Sequence, residues 1–201
     1  MIQNIIKKHT NHISHYLNEV KINNMLGLWL YLMSDCILFA TMFAVYCIMY
    51  VHKLEYQHIF NLKIVFFETI ILLLSSIFCG FLVISAKYKK IFFLYFSLIL
   101  TFLLGLFFIF LEIYEFYNLK KIGYTPQKNG FLSSFFTLIG MHGIHIIIGL
   151  LWLLGIFFQI NKLHSNNIIY IRILCFSLFW HFLDIIWVCI FTIVYLFGNI
   201  S

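Results

Sequence analysis

The chain has 201 residues, of which 63% are hydrophobic and only 10% are charged. A soluble domain carries roughly 25% charged residues, so this composition excludes an ordinary soluble protein and indicates a polytopic membrane protein. The net charge of +6 does not indicate nucleic-acid binding. The lysines stand between apolar runs, where they act as topology signals and contacts to lipid headgroups.

The first 25 residues are predicted to form a cytoplasmic tail. They hold Lys7, Lys8 and Lys21, and no apolar core precedes a small-residue cleavage site, so they are not a signal peptide. His9, His12 and His15 recur every three residues. A weak metal site is one interpretation of this ladder, but solvated neutral histidines need no ligand.

The rest of the chain predicts an all-α fold, a membrane helix bundle with five transmembrane helices. Each span has the roughly 20 apolar residues that a bilayer requires. We place the spans at about 26–51, 64–86, 91–118, 131–160 and 168–198. The single proline, Pro126, lies in the third loop, so no span is expected to carry a proline kink.

The distribution of lysine and arginine predicts the orientation. Eight lie in the tail, the second loop and the fourth connection, and five lie in the first and third loops. Because cytoplasmic segments carry the excess of positive charge, the N-terminus is expected in the cytoplasm and the C-terminus outside.

The cysteines form no cofactor-binding motif. The five cysteines lie in apolar runs without C-x-x-C spacing, which argues against a disulfide framework, zinc, an iron–sulfur cluster or c-type haem. We expect buried thiols that act as small apolar residues.

Ionisable side chains inside the spans are the main functional signal. Five ionised carboxylates in hydrocarbon would cost on the order of 12 to 17 kcal/mol, so they need protons or partners. We predict that these groups line a buried polar seam with a structural, lipid-related or proton-related role. The candidate seam residues are Asp35, Glu68, Glu112, Glu115, His142, His145, His181 and Asp184.

Helical spacing predicts which face of each span is turned inward. The second span aligns Glu68 with Ser75 and Cys79, and the third aligns Gly105 with Glu112 and Glu115. The inward residues of the other three spans are predicted as Gly27, Tyr31, Ser34 and Asp35, then Leu138, His142, His145, Gly149 and Trp152, then Ser177, His181, Asp184, Val188, Thr192 and Tyr195. Gly140 and Gly143 are expected to allow close helix approach.

Other classes of function compete with a purely structural seam. His142 or His145 with His181 could ligate a b-type haem, as in the membrane anchor of a dehydrogenase or reductase. The neighbouring tryptophans and phenylalanines crowd that space. Buried carboxylates could also serve a transporter. Zinc is disfavoured, because H-G-I-H lacks H-E-x-x-H spacing and Glu55-x-x-His58 lies in a loop.

Six blocks of sequence carry a resemblance to a known family. They are LWLYLMSDCILFA (28–40), FETIILLLSSIFCG (67–80), EIYEF (112–116), GFLSSFF (130–136), GMHGIHIIIGLLW (140–152) and SLFWHFLDIIWVCIFTIVYLFG (177–198). In this order they resemble subunit III of the haem–copper terminal oxidases, in the five-helix form of bo-type ubiquinol oxidases. The first 25 residues carry none of these blocks.

The resemblance implies an accessory subunit without catalytic residues, metal or redox cofactor of its own. Haem and copper are then expected in partner subunit I, with subunits II and IV and membrane phospholipid as further partners in a bacterial inner membrane. Glu68 matches a carbodiimide-reactive glutamate of the family. Larger members have two more N-terminal helices, so a lipid cleft formed by those helices is not expected within this chain.

Overall fold

The computed structural model describes residues 2–50, 62–127, 129–162 and 166–196. Five long helices account for nearly all of these residues. They are α1 (Ile2–Tyr50), α2 (Leu62–Lys87), α3 (Ile91–Ile122), α4 (Gly130–Lys162) and α5 (Asn166–Ile190), and α5 continues into a π-helical segment (Phe191–Leu196). Each of the five contains a stretch long and apolar enough to cross a membrane. The predicted all-α bundle with five transmembrane helices is confirmed.

The N-terminal segment continues the first helix. The apolar stretch of α1 is Lys21–Tyr50, but its backbone is helical from Ile2, including the residues that we predicted as a tail. The side chains of His9, His12 and His15 lie outside the described part of the structure, as do Glu55 and His58.

The hydrocarbon interior of a membrane favours long uninterrupted helices. It offers no hydrogen-bond partner to an exposed peptide group, whereas a helix hydrogen-bonds its own peptide groups. The end of α3 shows how a helix is terminated at the membrane edge. Gly123 adopts a left-handed φ of 93°, and its N–H donates to the carbonyls of Leu119 and Lys120. A residue with a Cβ would be strained in this conformation.

Helix α5 lies at the centre of the bundle. Within its most apolar stretch, 61% of the residues are buried, against 22% for α1. Over the described residues α5 packs on α1, α2 and α4, while α3 packs on α2 and α4. The helix α5 therefore separates α1 from α2.

Trp180 joins four helices at this centre. Its indole N–H donates to Ser75 Oγ of α2 at 3.0 Å, and its ring lies against Gly105 of α3 and Gly149 of α4. A Cβ at either glycine would stand 3.0 Å from the ring. These two glycines provide the close helix approach. We expected it at Gly140 and Gly143. The expectation is confirmed at Gly143, where a Cβ would stand 2.5 Å from the Glu112 carboxyl of α3, and it was wrong at Gly140, where a Cβ would meet nothing within 4 Å.

The predicted inward faces of α2, α3 and α4 are confirmed. Glu68, Ser75 and Cys79 of α2 are buried, as are Glu112 and Glu115 of α3. On α4 every residue of the predicted face is buried except Trp152, which is partly buried.

The predicted face of α1 was wrong except for Asp35. Gly27, Tyr31 and Ser34 are exposed, and the inner face is formed by Leu32, Asp35, Phe39 and Tyr46. Helix α1 packs on the bundle through one narrow and mostly apolar face. The positions of its polar residues therefore did not predict which face is turned inward.

The predicted polar stripe of α5 does not lie on one face. Ser177, Asp184 and Tyr195 are buried, His181 is half-exposed and Val188 is exposed. His181 and Val188 precede the π-helical segment that begins at Phe191, so this segment affects the direction of Thr192 and Tyr195 only.

The expectation of buried thiols holds for only some of the cysteines. Cys79 and Cys175 are buried, whereas Cys36, Cys47 and Cys189 lie on the outer surface of the bundle. A thiol is apolar enough to face lipid as readily as the interior.

Candidate functional site: the polar seam

The predicted seam residues fall into two layers along the bundle. One layer contains Asp35, His145, His181 and Asp184, at the middle of their helices. The other contains the three glutamates, which lie beside the π-helical end of α5. His142 lies between the layers. The structure therefore brings all eight predicted residues into or against the interior, but in separate clusters instead of one.

The first cluster joins α1 to α4. His145 Nε2 lies 3.4 Å from Asp35 Oδ2, and both side chains are almost completely buried. On the other side of the ring, His145 Nδ1 is 2.8 Å from the carbonyl oxygen of Met141. A carbonyl only accepts, so Nδ1 carries a proton.

That tautomer limits what lies between the ring and the carboxyl. With Nδ1 protonated, Nε2 faces Asp35 either as a bare lone pair or as a second N–H. Asp35 Oδ2 forms no hydrogen bond among the described residues, so its 3.4 Å separation from Nε2 is an electrostatic contact. This contact brings a polar group of α1 and a polar group of α4 together in the interior.

The second cluster joins α2 to α5. Ser76 Oγ and His181 Nδ1 are 2.7 Å apart, a hydrogen bond in which the imidazole tautomer decides the donor. Asp184 Oδ2 lies 3.7 Å from the same nitrogen, and neither oxygen of Asp184 has a hydrogen-bond partner among the described residues. The cluster borders the bundle surface, because 43% of the His181 side chain is exposed.

The third cluster contains Glu68, Glu112 and Glu115, which lie within electrostatic reach of one another. Tyr195 donates a hydrogen bond to Glu115 Oε2 at 2.9 Å. The Glu112 carboxyl packs on Gly143 so closely that an added Cβ would stand 2.5 Å from one of its oxygens.

Glu68 has the fewest hydrogen-bond partners in this carboxylate cluster. Its side chain is fully buried, and neither carboxyl oxygen has a hydrogen-bond partner among the described residues. Three like charges cannot coexist at this separation in hydrocarbon, so the cluster must hold protons as well as hydrogen bonds.

His142 is enclosed by aromatic rings. Its ring centroid lies 5.2 Å from Trp187 and 5.9 Å from Phe108, and neither ring nitrogen has a partner among the described residues. Both rings therefore pack directly against the imidazole. Within the described residues, no group of three or more His, Cys, Asp or Glu is arranged to hold a metal ion.

Sequence reasoning placed Tyr195 on the inward face of its span but did not predict the contacts that complete these clusters. Ser76 and Tyr195 stand 105 and 80 residues from their partners, and Met141 contributes only its backbone. The tryptophans carried a usable signal, since a buried indole N–H needs an acceptor. Trp187 finds one in Thr69 Oγ1 at 3.2 Å.

The fold and the seam define a polytopic helical membrane protein with ionisable side chains clustered in its interior. The sequence profile of the family described as cytochrome c oxidase subunit III matches residues 1–199. The chain belongs to this family, which confirms the resemblance and extends it over the first 25 residues. Membership favours the oxidase interpretation over a haem b-binding anchor or a transporter.

Several individual members of this family are similar to the chain over most of their length. The chain is 51% identical to "Cytochrome bo(3) ubiquinol oxidase subunit 3" of Buchnera aphidicola from Acyrthosiphon pisum, over 92% of this chain and 90% of the relative. It is 53% identical to the protein of that name from the Schizaphis graminum strain, over 89% and 96%. The Pseudomonas putida protein of the same name is 47% identical, over 87% and 86%.

Proposed function

We propose that this chain is the third subunit of a proton-pumping ubiquinol oxidase, in which a partner subunit carries out electron transfer from quinol to oxygen. The observation that supports this most strongly is the high identity, over most of both chains, to relatives that are named as subunit 3 of such an oxidase. Haem and copper belong to subunit I, and subunits II and IV and phospholipid are the other partners.

The proposed role of this chain is to support assembly, lipid binding and sustained turnover, without catalysing a step itself. The pairing within the seam favours this role. Asp35 and His145 face each other, and Glu115 accepts a hydrogen bond from Tyr195. The first contact joins α1 to α4 and the second joins α3 to the π-helical end of α5, which supports a structural role.

Purification tests the membership in the complex. The chain is tagged and extracted in mild detergent, and the co-purifying subunits are identified while a reduced-minus-oxidised spectrum is recorded. We expect the haem signal to accompany a partner subunit and to be absent from the isolated chain. Stoichiometric Soret absorbance on the isolated chain that is lost in His181→Ala would contradict the proposal and support a haem-binding anchor.

Turnover tests the supporting role. Oxidase with and without this chain is compared for initial oxygen consumption per haem and for its decay over successive turnovers. We expect similar initial rates and faster inactivation of the depleted enzyme. An initial rate that falls to zero on depletion would assign this chain a direct part in the reaction.

We also propose that the chain spans the bacterial inner membrane with its N-terminus in the cytoplasm and its C-terminus in the periplasm. The excess of basic residues on one side supports this orientation. A reporter active only in the periplasm should work when fused after Ser201 and fail when fused at Lys89. The reverse pattern would overturn the orientation.

A further inference from the structure

The central helix is open to the outside along one stripe. Leu178, Ile185 and Cys189 of α5 are exposed, and they recur at helical spacing between α1 and α2. His181 lies on the α2 side of this stripe, where Ser76 contacts it. We call these four α5 residues and the facing edges of α1 and α2 the open cleft.

The depth of His181 makes its exposure unusual. The apolar stretch of α5 is Ile168–Leu196, so His181 lies roughly 20 Å from either end. Its Nδ1 is bonded to Ser76, and its Nε2 has no partner among the described residues. Phospholipid headgroups do not reach this depth, and acyl chains cannot hydrogen-bond.

The α2 edge of the cleft has the shape that accepts a helix. Ser76 and Gly80 are four residues apart on its outer side, and a Cβ at Gly80 would meet nothing within 4 Å of this chain. Small residues at this spacing let a second helix approach the backbone closely.

Two further features border the cleft. The Asp184 carboxyl beside His181 is more than nine-tenths buried, and neither of its oxygens has a hydrogen-bond partner among the described residues. On the α1 side, an apolar cavity of about 380 Å³ is lined by Leu28, Leu32 and Leu178, among others. A partner in the cleft would therefore bring polar atoms to His181 and apolar atoms to the cavity near the N-terminal end of the α1 span.

We propose that a transmembrane helix of another subunit docks in the open cleft, packs its backbone on Ser76 and Gly80, and presents a hydrogen-bonding side chain to His181 Nε2. A polypeptide helix can pack closely on the small residues, place apolar side chains in the cavity and offer one polar side chain to His181. This inference rests on the proposed function, since it requires a membrane complex.

A matched pair of glycine substitutions tests the docking surface. Gly80→Leu fills the cleft, while Gly155→Leu places the same side chain on α4, where a Cβ also meets nothing within 4 Å. We expect at least fivefold less chain per haem in the complex purified from Gly80→Leu, and an unchanged ratio for Gly155→Leu. Both variants should insert in the membrane in wild-type amounts. Equal retention of the two variants, or equal loss, would overturn the proposal.

Substitution of the histidine tests the polar contact. His181→Gln keeps a hydrogen-bonding group and should retain the chain in the complex. His181→Leu removes that group and should lower the chain-to-haem ratio several-fold. The Ser76 hydroxyl can turn to its own helix in both variants, so the internal effect is small. Equal retention of His181→Leu and His181→Gln would overturn the polar contact.

Photo-crosslinking identifies the occupant. A benzophenone amino acid replaces Ile77, which is 55% exposed beside Ser76, and the intact complex is irradiated. We expect a covalent product with one defined partner subunit. A product with phospholipid or quinone alone, or none, would overturn the docked helix while leaving subunit membership intact. If the wild-type chain does not co-purify with the haem-containing subunit at all, the proposed function fails as well.

Discussion

Trp180→Phe should destabilise the bundle, because this indole is the contact shared by four helices. The substitution removes the hydrogen bond from the indole N–H to Ser75 and the part of the ring nearest Gly105 and Gly149. The side chain is 99% buried, so the neighbouring helices must close over the vacated space or leave it empty.

The magnitude follows from two contributions. About 40 Å³ of side chain is lost, which at roughly 24 cal/mol per Å³ of cavity costs about 1 kcal/mol. A hydrogen bond inside a membrane protein contributes about 0.6 kcal/mol on average. The free energy of unfolding should therefore fall by about 1.5 to 2 kcal/mol. The Ser75 hydroxyl is not orphaned, since it also donates to the carbonyl of Leu72 at 2.7 Å.

Removal of the acceptor should behave differently. Ser75→Ala leaves the buried indole N–H of Trp180 without a partner, at a cost of about 1 to 3 kcal/mol. The double variant Trp180→Phe/Ser75→Ala contains no indole N–H that could lack an acceptor. Its loss of unfolding free energy should therefore be close to that of Trp180→Phe alone and clearly below the sum of the two single losses.

The assay is unfolding of the purified chain by SDS in mixed micelles, followed by far-ultraviolet circular dichroism. Trp29→Phe is the matched control, because Trp29 is 59% exposed on α1, and it should change the free energy by less than about 0.5 kcal/mol. A loss in Trp180→Phe no larger than in Trp29→Phe would refute the four-helix junction. Additive losses in the double variant would refute the hydrogen bond.

Three further sets of substitutions test the seam and its surroundings. Asp184→Leu should loosen the chain from the oxidase and shorten its active life, while Asp184→Asn should be mild. If Asp184→Asn stopped oxygen reduction with the chain fully retained, the supporting role would be wrong. Tyr195→Phe should cost about 0.6 to 1.7 kcal/mol, and much less in a Glu115→Leu background, where no acceptor remains; equal losses in both backgrounds would contradict the bond. Gly143→Ala should destabilise by about 1 to 3 kcal/mol, because its Cβ meets a carboxyl, whereas Gly140→Ala should stabilise by up to about 1 kcal/mol. Both glycine variants are compared by the same SDS titration, and equal effects would contradict the close approach at Gly143.

The inward faces were predictable where a helix is packed on several sides. The face of α3 that carries Gly105, Glu112 and Glu115 was predicted from spacing alone and is buried, because α3 turns its polar and small residues toward its neighbours. The face of α1 was not predictable in this way. Tyr31 and Ser34 face outward, since a helix at the edge can leave polar atoms bonded within itself and pack through leucine and phenylalanine.

The number and length of the helices were determined by the sequence itself, because hydrocarbon requires about 20 apolar residues per span and an internally satisfied backbone. The presence of ionisable groups that need partners was determined in the same way. Their pairing was decided only by tertiary structure. His145 meets Asp35, Ser76 meets His181 and Tyr195 meets Glu115 across 80 residues or more. Helical spacing shows which residues share a face, but which faces meet depends on the steric fit between helices, and no single helix carries that information.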